Sequence, residues 1–282
     1  MLSLDTPARA LTDAGGSPAG IDIAPRAGTF ASISIAAPAY NEAAGIERFV
    51  RDWQEALRAL PGLDLAEIVV CNDGSRDATG PLLETLAREC PALSPVHHDT
   101  NRGAGRAMAS AIAKTRAAWV LLLDADGQFP PACLNAFEAA LAVRPDAHAL
   151  LGERRRKHDS RFARAGAWLT TATLNALYGT RYRDLSSACQ LVRGDLLRAL
   201  PLEAKGLNYS VEISARLLEA GIRPVPVPIE HRGREGGRSA RRLLESTFDR
   251  AAFVAYFAVR RALLAAGVIT APLTEDGRCA SY

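Results

Sequence analysis

The chain contains an apolar run that leads directly into two closely spaced acids, in the order Trp119-Val120-Leu121-Leu122-Leu123-Asp124-Ala125-Asp126-Gly127-Gln128. Five consecutive apolar residues predict a strand that is buried on both faces. In open α/β sheets, ligands bind beyond the carboxyl ends of the strands, which is where Asp124 and Asp126 fall. Two neighbouring carboxylates repel each other unless a cation lies between them. The stretch therefore predicts either a metal site able to bridge a diphosphate, or two solvated acids in a turn.

Composition excludes several classes of protein. The 282 residues are 48% apolar and 23% charged, which is ordinary for a globular protein with a substantial core. A net charge of +3 gives no general case for nucleic-acid binding, and no aromatic residues interleave the arginine runs. Five cysteines without a Cys-x-x-Cys pair favour a reducing compartment, and the N-terminus has no signal-peptide pattern. We therefore expect a cytoplasmic protein.

Strand and helix patterns alternate up to residue 152, and longer helices with isolated strands follow, so we expect one domain over residues 31–240. We expect strands at 33–37, 67–71, 93–97, 119–123 and 147–152, with helices at 45–60, 78–89, 103–116 and 131–143. This alternation predicts an α/β fold with a mainly parallel, doubly wound sheet flanked by helices. Residues 1–30 are expected to form a disordered N-terminal tail, because they lack periodicity, and residues 241–282 a C-terminal helix and tail.

The C-terminal segment has two apolar stretches, 251–259 and 262–269, which are separated by Arg260 and Arg261. A membrane-spanning helix needs about 20 apolar residues without a central pair of charges. The segment therefore predicts a C-terminal amphipathic helix. Such a helix either packs on the domain or lies in a membrane interface, and the pattern leaves both alternatives open.

Polar residues follow each of the first four expected strands. The segments are 38–42, 72–77, 101–105 and 124–128. The carboxyl ends of parallel strands lie along one edge of a sheet, so segments scattered in sequence should converge there. Any one of them could be an ordinary turn. The four together indicate a ligand site.

These segments resemble the motif set of family 2 glycosyltransferases. The matching residues are Pro38-x-Tyr40-Asn41-Glu42, Asp73-Gly74-Ser75-x-Asp77-x-Thr79, Asn101-Arg102-Gly103-x-Gly105 and Asp124-x-Asp126-x-Gln128. The resemblance implies a GT-A fold, an inverting hexosyl transfer from a nucleotide-diphospho-sugar, and Mg²⁺ or Mn²⁺ as cofactor. Residues 124–130 are similar to the form found in dolichol-phosphate mannosyltransferase-like enzymes, which transfer a sugar to a polyprenyl phosphate.

The resemblance also implies roles for individual residues. Asp124, Asp126 and Gln128 would hold the metal on the donor diphosphate. The donor-binding residues would be Pro38, Tyr40, Glu42, Asp73, Ser75, Gly103, Gly105, Asp124, Arg234 and Ser239. Among these, Asp73 would accept a hydrogen bond from the base, and the two glycines would let the backbone pass close to the donor.

Cationic residues after the expected strand at 147–152 suggest where an acceptor binds. Arg154, Arg161 and Arg164 stand where the resembled enzymes hold the acceptor phosphate, and guanidinium groups match phosphate oxygens. The alternative is a solvated charged face. Asp184 would contact sugar hydroxyls or the acceptor, which makes Asp126, Asp184 and Arg154 the expected catalytic residues.

The chain departs from the family pattern at Asn72, Gln190 and Ala240. Gln190 replaces a cation, which leaves the acceptor open between a polyprenyl phosphate and a saccharide or small metabolite. The same departures motivate an alternative: a catalytically silent partner protein that binds sugar nucleotides. The sequence favours a cytoplasmic, metal-dependent transferase that binds no nucleic acid. Peripheral contact with the cytoplasmic membrane face through the C-terminal helix is left open beside packing of that helix on the domain.

Two pairs of conspicuous residues receive little weight as site residues. His97 and His98 are expected to be incidental surface histidines. Trp53 and Trp168 are expected to be packing residues on helices. The cysteines are expected to fill small spaces in the core.

Overall fold

Strands and helices alternate through the structure, a computed structural model that describes residues 30–60, 62–154, 161–233 and 240–269. The strands are β1 (Ser32–Ala39), β2 (Leu65–Asn72), β3 (Leu93–His97), β4 (Trp119–Leu122), β5 (Ala149–Arg154), β6 (Gln190–Arg193) and β7 (Val225–Ile229). The helices are α1 (Ile46–Ala59), α2 (Thr79–Glu89), α3 (Ala104–Lys114), α4 (Cys133–Val143), α5 (Arg161–Tyr178), α6 (Gly194–Ala199), α7 (Tyr209–Glu219) and α8 (Ala240–Ala265). Most of the tail predicted at residues 1–30 lies outside the described residues.

The strands form one sheet in the order β3-β2-β1-β4-β6-β5-β7. β1 pairs in parallel with β2 and β4, β2 pairs in parallel with β3, and β5 pairs in parallel with β7. Only β6 is reversed, and it is antiparallel to β4 on one side and to β5 on the other. The predicted mainly parallel α/β sheet is confirmed. The antiparallel strand in its middle was not predicted.

Both faces of the sheet are covered, which explains the uninterrupted apolar strands. Successive side chains on a strand point to opposite faces. Ile35 and Leu121 belong to the core cluster that includes α1, α2 and α4, whereas Ala36 and Leu122 belong to the cluster that includes α3, α6 and α7. The described cysteines are all buried, as expected for core residues. Trp53 is buried in the first of these clusters, which confirms its packing role.

The C-terminal helix α8 packs on the domain through part of its surface. Phe257 is fully buried in a third cluster with Leu174 of α5 and Val211 of α7. Arg260, which interrupts the apolar sequence, donates hydrogen bonds to Glu219 at 3.0 and 2.9 Å. Among the described residues, no helix is both long and apolar enough to cross a bilayer. The predicted amphipathic helix therefore has one packed side.

A buried carboxylate joins the amino ends of the central strands. Glu67 of β2 accepts hydrogen bonds from the Ser34 hydroxyl and from the backbone N–H and Nε of Arg116. Burial alone would raise the pKa of Glu67, but these hydrogen bonds outweigh it and lower the pKa below its ordinary value. This end of the sheet is opposite to the one that carries the motifs, so Glu67 lies away from the predicted site.

Replacing Glu67 by Gln should lower the free energy of unfolding by about 2 kcal/mol at neutral pH, because charge-assisted hydrogen bonds are lost. The pKa is lowered in the folded state, so the stabilisation is present above the ordinary value of 4.5 and disappears as the pH falls through the folded value. Urea unfolding of parent and variant at neutral and acidic pH measures both effects.

Glu47→Gln, on the exposed side of α1, is the matched control and should change stability by less than about 0.5 kcal/mol. A Glu67→Gln loss of the same size at neutral and acidic pH would contradict the role assigned to the charge.

Candidate functional site

The sheet brings the predicted polar segments to one edge. β1, β2, β3 and β4 are mutually parallel, so the residues after each of them lie at the same edge, as expected. β5 ends at this edge with Arg154. Because β6 runs in the opposite direction, it begins here, and Asp184 lies in the segment that precedes it. β4, with its two acids, lies between the β1–β3 half and the β5–β7 half of the edge.

The first two segments hold each other in place. Asn41, which has a φ of 56°, donates its backbone N–H to Ser75 Oγ at 3.0 Å. The backbone N–H of Arg76 donates back to Asn41 Oδ1 at 2.9 Å, and that of Glu42 donates to Thr79 Oγ1 at 2.9 Å. Ser75 thus uses its hydroxyl to position the loop after β1. Its predicted donor-binding role stays a prediction.

Two further donor candidates flank this loop. Pro38 is buried near the end of β1, in register with Cys71 of β2, and Tyr40 is half-buried directly after the strand. Asn72, one of the departures from the family pattern, accepts the backbone N–H of Ser75 at 3.1 Å through its Oδ1. The amide at position 72 therefore closes the turn that follows β2.

Asp73 is buried and holds the segment after β3. Its Oδ1 accepts the backbone N–H of Arg102 at 2.9 Å, and its Oδ2 accepts that of Gly103 at 2.8 Å. His98 Nδ1 lies 2.7 Å from Oδ1, with Ser110 Oγ 2.9 Å from the other ring nitrogen. Asp73 therefore organises the loop, and its contact with a base stays a prediction.

The position of His98 differs from the expectation based on the sequence. The expectation of an incidental surface histidine is wrong, because His98 is only 9% exposed and lies against Asp73. The available signal was its position directly after β3, since the other strands are followed by the predicted site segments. His97, by contrast, is exposed and pairs with Glu84 at 2.8 Å.

Gly103 and Gly105 have a neighbour that the sequence did not reveal. Residues 203–206, which we call the strap, cross this loop so closely that a Cβ at either glycine would collide with a strap carbonyl oxygen. Gly103 also has a φ of 95°, which side-chain-bearing residues rarely adopt. The backbone N–H of Gly105 donates to Lys205 O at 2.9 Å. The absence of side chains at Gly103 and Gly105 thus makes room for the strap. The close approach of these glycines to the nucleotide-sugar donor stays a prediction.

The strap is itself held by a buried acid. Glu212 of α7 accepts the backbone N–H of Glu203 at 2.9 Å and that of Ala204 at 2.8 Å. Burial raises the pKa of Glu212, and hydrogen bonds from the strap and from Arg216 oppose this effect without reversing it. Asp73 and Glu212 therefore fix the two backbones that meet at the glycines.

The two acids after β4 occupy half-buried positions. Asp124 Oδ1 accepts a hydrogen bond from the hydroxyl of Tyr209 at 2.6 Å. Asp126 Oδ1 accepts the backbone N–H of Gln128 at 3.2 Å. Gln128 donates its side-chain Nε2 to Arg232 O at 3.2 Å, and its own carbonyl accepts the Arg232 N–H at 2.8 Å. The acids are thus tied to α7 and to the segment after β7.

The side-chain oxygens of Asp124, Asp126 and Gln128 suit a hard divalent cation. Carboxylate and amide oxygens are ligands that Mg²⁺ and Mn²⁺ prefer, and Mg²⁺ is commonly held by one or two carboxylates plus substrate phosphates. Over the part of the chain that the structure describes, no three His, Cys, Asp or Glu side chains converge as metal ligands. The side chains of Asp124, Asp126 and Gln128 carry oxygens of this kind, so they fit a hard divalent cation.

Two of the predicted catalytic residues pair with each other. Arg154 donates Nε to Asp184 Oδ2 at 2.7 Å and Nη2 to Asp184 Oδ1 at 3.2 Å. The side chains of Arg154 and Asp184 are 11% and 2% exposed. The Ser186 hydroxyl donates to Asp184 Oδ1 at 2.8 Å. Asp184 therefore orients the Arg154 guanidinium at the edge.

Several other predicted residues are placed differently or lie outside the described part. Arg164 is exposed near the start of α5. The side chain of Arg161, and all of Arg234 and Ser239, lie outside the described residues.

Gln190, which replaces a cation of the family pattern, is buried. Its amide donates to Ser187 O and Ser210 O, both at 2.9 Å, so this departure lies in the interior of the domain. Trp168 is 68% exposed, and its expected packing role is wrong because α5 turns that side chain outward.

The fold and the edge together define an α/β protein of the GT-A type, in which acids follow the central strand where a nucleotide site is expected. The model of glycosyl transferase family 2 matches residues 34–200, and the chain belongs to that family. The predictions of a family 2 glycosyltransferase and of a GT-A fold are confirmed.

Similar proteins include enzymes named for lipid phosphates. The chain is 29% identical over 213 residues to the undecaprenyl-phosphate mannosyltransferase of Micrococcus luteus, which covers 72% of this chain and 84% of that protein. It is 28% identical over 219 residues to the undecaprenyl-phosphate 4-deoxy-4-formamido-L-arabinose transferase of Pseudomonas paraeruginosa, covering 77% of this chain and 63% of that protein. The chain thus spans less than two thirds of the second relative.

A solved structure shares the fold. Glucosyl-3-phosphoglycerate synthase from Mycobacterium tuberculosis, in complex with UDP, superposes with a TM-score of 0.62 at 21% identity over 80% of each chain. The same synthase has been solved with Mn²⁺, UDP-glucose and phosphoglyceric acid. At this level of identity the likeness establishes the architecture.

Replacing Gly105 by Ala should lower the free energy of unfolding by about 1–3 kcal/mol, because the new Cβ would overlap the backbone of the strap. Urea unfolding measures the loss. Gly206→Ala is the matched control in the strap itself, since a Cβ there meets no atom within 4 Å. Equal stability of Gly105→Ala and the parent would show that the strap does not lie against this loop.

Proposed function

We propose that the protein transfers a sugar from a nucleotide-diphospho-sugar to a polyprenyl phosphate, with inversion, and that Asp124 and Asp126 hold Mg²⁺ or Mn²⁺ on the donor. The order of the strands carries this proposal. β4 and its acids lie in the middle of the carboxyl edge of the sheet. The β1–β3 half on one side carries the family's nucleotide motifs, and the half on the other side carries the buried Arg154–Asp184 pair. A donor diphosphate and an anionic acceptor could therefore meet at Asp124.

The chemistry follows from these groups. A bound divalent metal would act as a Lewis acid on the diphosphate as negative charge develops there. Asp124, Asp126 and the Gln128 amide oxygen would hold it. A phosphate acceptor is already ionised near neutral pH, so it needs positioning more than a general base. Arg154, oriented by Asp184, would supply a charge-assisted contact to that phosphate.

The similar proteins support the choice of acceptor. Two of them are named as undecaprenyl-phosphate transferases, and the Micrococcus luteus protein is matched over 84% of its length. A buried guanidinium near the site also fits a phosphate better than a neutral saccharide hydroxyl. These observations favour a polyprenyl phosphate over a saccharide or small metabolite.

The test is transfer of label from radiolabelled UDP- and GDP-sugars to undecaprenyl phosphate in the presence of Mn²⁺. We expect organic-extractable label with one sugar nucleotide, loss of transfer on chelation, and a decrease of at least about a hundredfold in Asp126→Asn. Asp146→Asn is the matched control, since that aspartate is exposed and pairs with Arg144.

The other results each exclude a part of the proposal. Transfer to saccharides but not to lipid phosphate would overturn the proposed acceptor class. Full turnover without metal would overturn the proposed metal dependence. Donor binding without turnover on any acceptor would favour the silent partner protein.

A lipid acceptor requires contact with a bilayer surface, and α5 and α8 present a suitable face. Large apolar side chains are exposed on α5, on α8 and in the turn after α8: Trp168, Leu169, Val259, Leu263 and Val268, of which Trp168 is 68% and Val259 61% exposed. Residues 161–178 contain two arginines and no acid, and residues 250–269 contain three arginines and no acid. Exposed apolar residues beside arginines are typical of helices that bind anionic lipid surfaces. Among these arginines, Arg260 is paired with Glu219, so the positive charge of this surface would come from the others.

The packed side of α5 contacts the segment that precedes β6. Thr171 of α5 accepts the backbone N–H of Leu185 at 3.1 Å through its hydroxyl, one residue beyond Asp184. The helix that would rest on lipid therefore also supports the residue that orients Arg154. We propose that peripheral contact occurs on the cytoplasmic membrane face, because the cysteine usage favours a reducing compartment.

Trp168→Glu should weaken binding to anionic phosphatidylglycerol vesicles by about tenfold or more, because an indole that would be buried in lipid is replaced by a charge of the wrong sign. Vesicle co-sedimentation measures the partition coefficient. Val143→Glu, at a residue of α4 that is 78% exposed, is the matched control and should bind like the parent. A parent protein that does not sediment with anionic vesicles would overturn the membrane contact.

A further inference from the structure

One contact to the proposed metal carboxylate comes from a residue outside the motifs. Tyr209 is the first residue of α7, lies 85 residues after Asp124, and donates its hydroxyl to Asp124 Oδ1 at 2.6 Å. The Tyr209 side chain is buried in the cluster on the α3 face of the sheet. A hydrogen bond to an ionised carboxylate is among the strong ones in proteins. The sequence offers no signal for this pair, since the two residues lie on elements far apart in the chain.

The position of Tyr209 is fixed from several sides. In the next residues of α7, the Ser210 hydroxyl donates to Ser186 O at 3.2 Å, and the Ser214 hydroxyl donates to Leu185 O at 3.0 Å. Glu212 binds the strap one turn further along. The start of α7 is therefore joined to the acid loop after β4, to the Asp184 segment and to the strap.

We infer that Tyr209 is a positioning residue, which holds the Asp124 carboxylate in the orientation that receives the metal of the donor diphosphate. The phenol occupies Oδ1, and Oδ2 accepts no hydrogen bond from any residue in the described ranges. A carboxylate held in this way presents one defined oxygen and cannot rotate freely. Hydrogen bonds of this kind to metal-binding side chains commonly tune metal affinity by 10- to 100-fold. The inference rests on the proposed function.

The alternative is that the phenol only attaches α7 to the sheet. In that case, its removal would lower stability and leave the metal affinity of the folded protein unchanged. Tyr209→Phe separates the two roles, because it deletes one oxygen and keeps the buried ring. Tyr182→Phe is the matched control, since the Tyr182 hydroxyl donates to Pro224 O at 2.9 Å and has no contact with the acids.

The experiment is calorimetric titration of MnCl₂ into the full-length protein, with UDP and, in parallel, with GDP present. We expect Tyr209→Phe to weaken Mn²⁺ binding by about tenfold, while Tyr182→Phe binds Mn²⁺ like the parent and Asp124→Asn loses binding. UDP or GDP binding without metal should be the same in Tyr209→Phe and the parent. The stoichiometry of the titration reports the folded fraction, so partial unfolding of a variant is not mistaken for a weaker site.

The outcomes distinguish this inference from the proposed function. Tyr209→Phe that binds Mn²⁺ as tightly as the parent, while Asp124→Asn does not bind, overturns the positioning role alone. A parent that binds no Mn²⁺ with either nucleotide overturns the proposed metal site and, with it, the role of Tyr209. A tenfold loss confined to Tyr209→Phe supports both.

Discussion

The loops at the carboxyl edge of the sheet depend on buried carboxylates that accept backbone N–H groups. Asp73 holds the loop after β3 through Arg102 and Gly103, and Glu212 holds the strap through Glu203 and Ala204. Loops cannot satisfy their own N–H groups as strands and helices do, and an unsatisfied buried group is costly. The oxygens of a carboxyl group can accept such hydrogen bonds from two backbone N–H groups at once. Consequently, Asp73 and Glu212 shape this part of the molecule through their contacts with backbone N–H groups.

The reversed strand β6 gives the site its second half. A parallel strand at that position would bring its carboxyl end to the edge, followed by a helix. Because β6 is antiparallel, the edge instead receives the segment before it, with Asp184 and Ser186. Asp184 then meets Arg154 at the end of the neighbouring strand β5. The predicted donor motifs on one side and the Arg154–Asp184 pair on the other thereby flank the acids of β4 in a single sheet.

The C-terminal helix is attached to this arrangement through buried charges. Arg216 of α7 is fully buried, 3.4 Å from both Glu212 and Glu203, with the Phe257 ring 5.5 Å away. Arg260 of α8 pairs with Glu219 at the other end of α7. Charges removed from water require specific partners, so this network favours one placement of α8. The helix proposed to meet lipid is thus connected through α7 to the strap and to Asp124.

The strands β1–β5, the helices between them and the acids after β4 were predictable, because apolar periodicity and turn residues are local signals that a short window contains. The family motifs likewise indicated Asp124, Asp126 and Arg154, whose roles stay predictions. Pairings between distant segments were not predictable: the insertion of β6 between β4 and β5, and the contact of Tyr209 with Asp124. Trp53 and Trp168 make the same point, since both lie on helices and only one is buried. The type of a residue shows whether its side chain favours apolar or polar surroundings. Which residues it contacts depends on how distant helices and strands pack together.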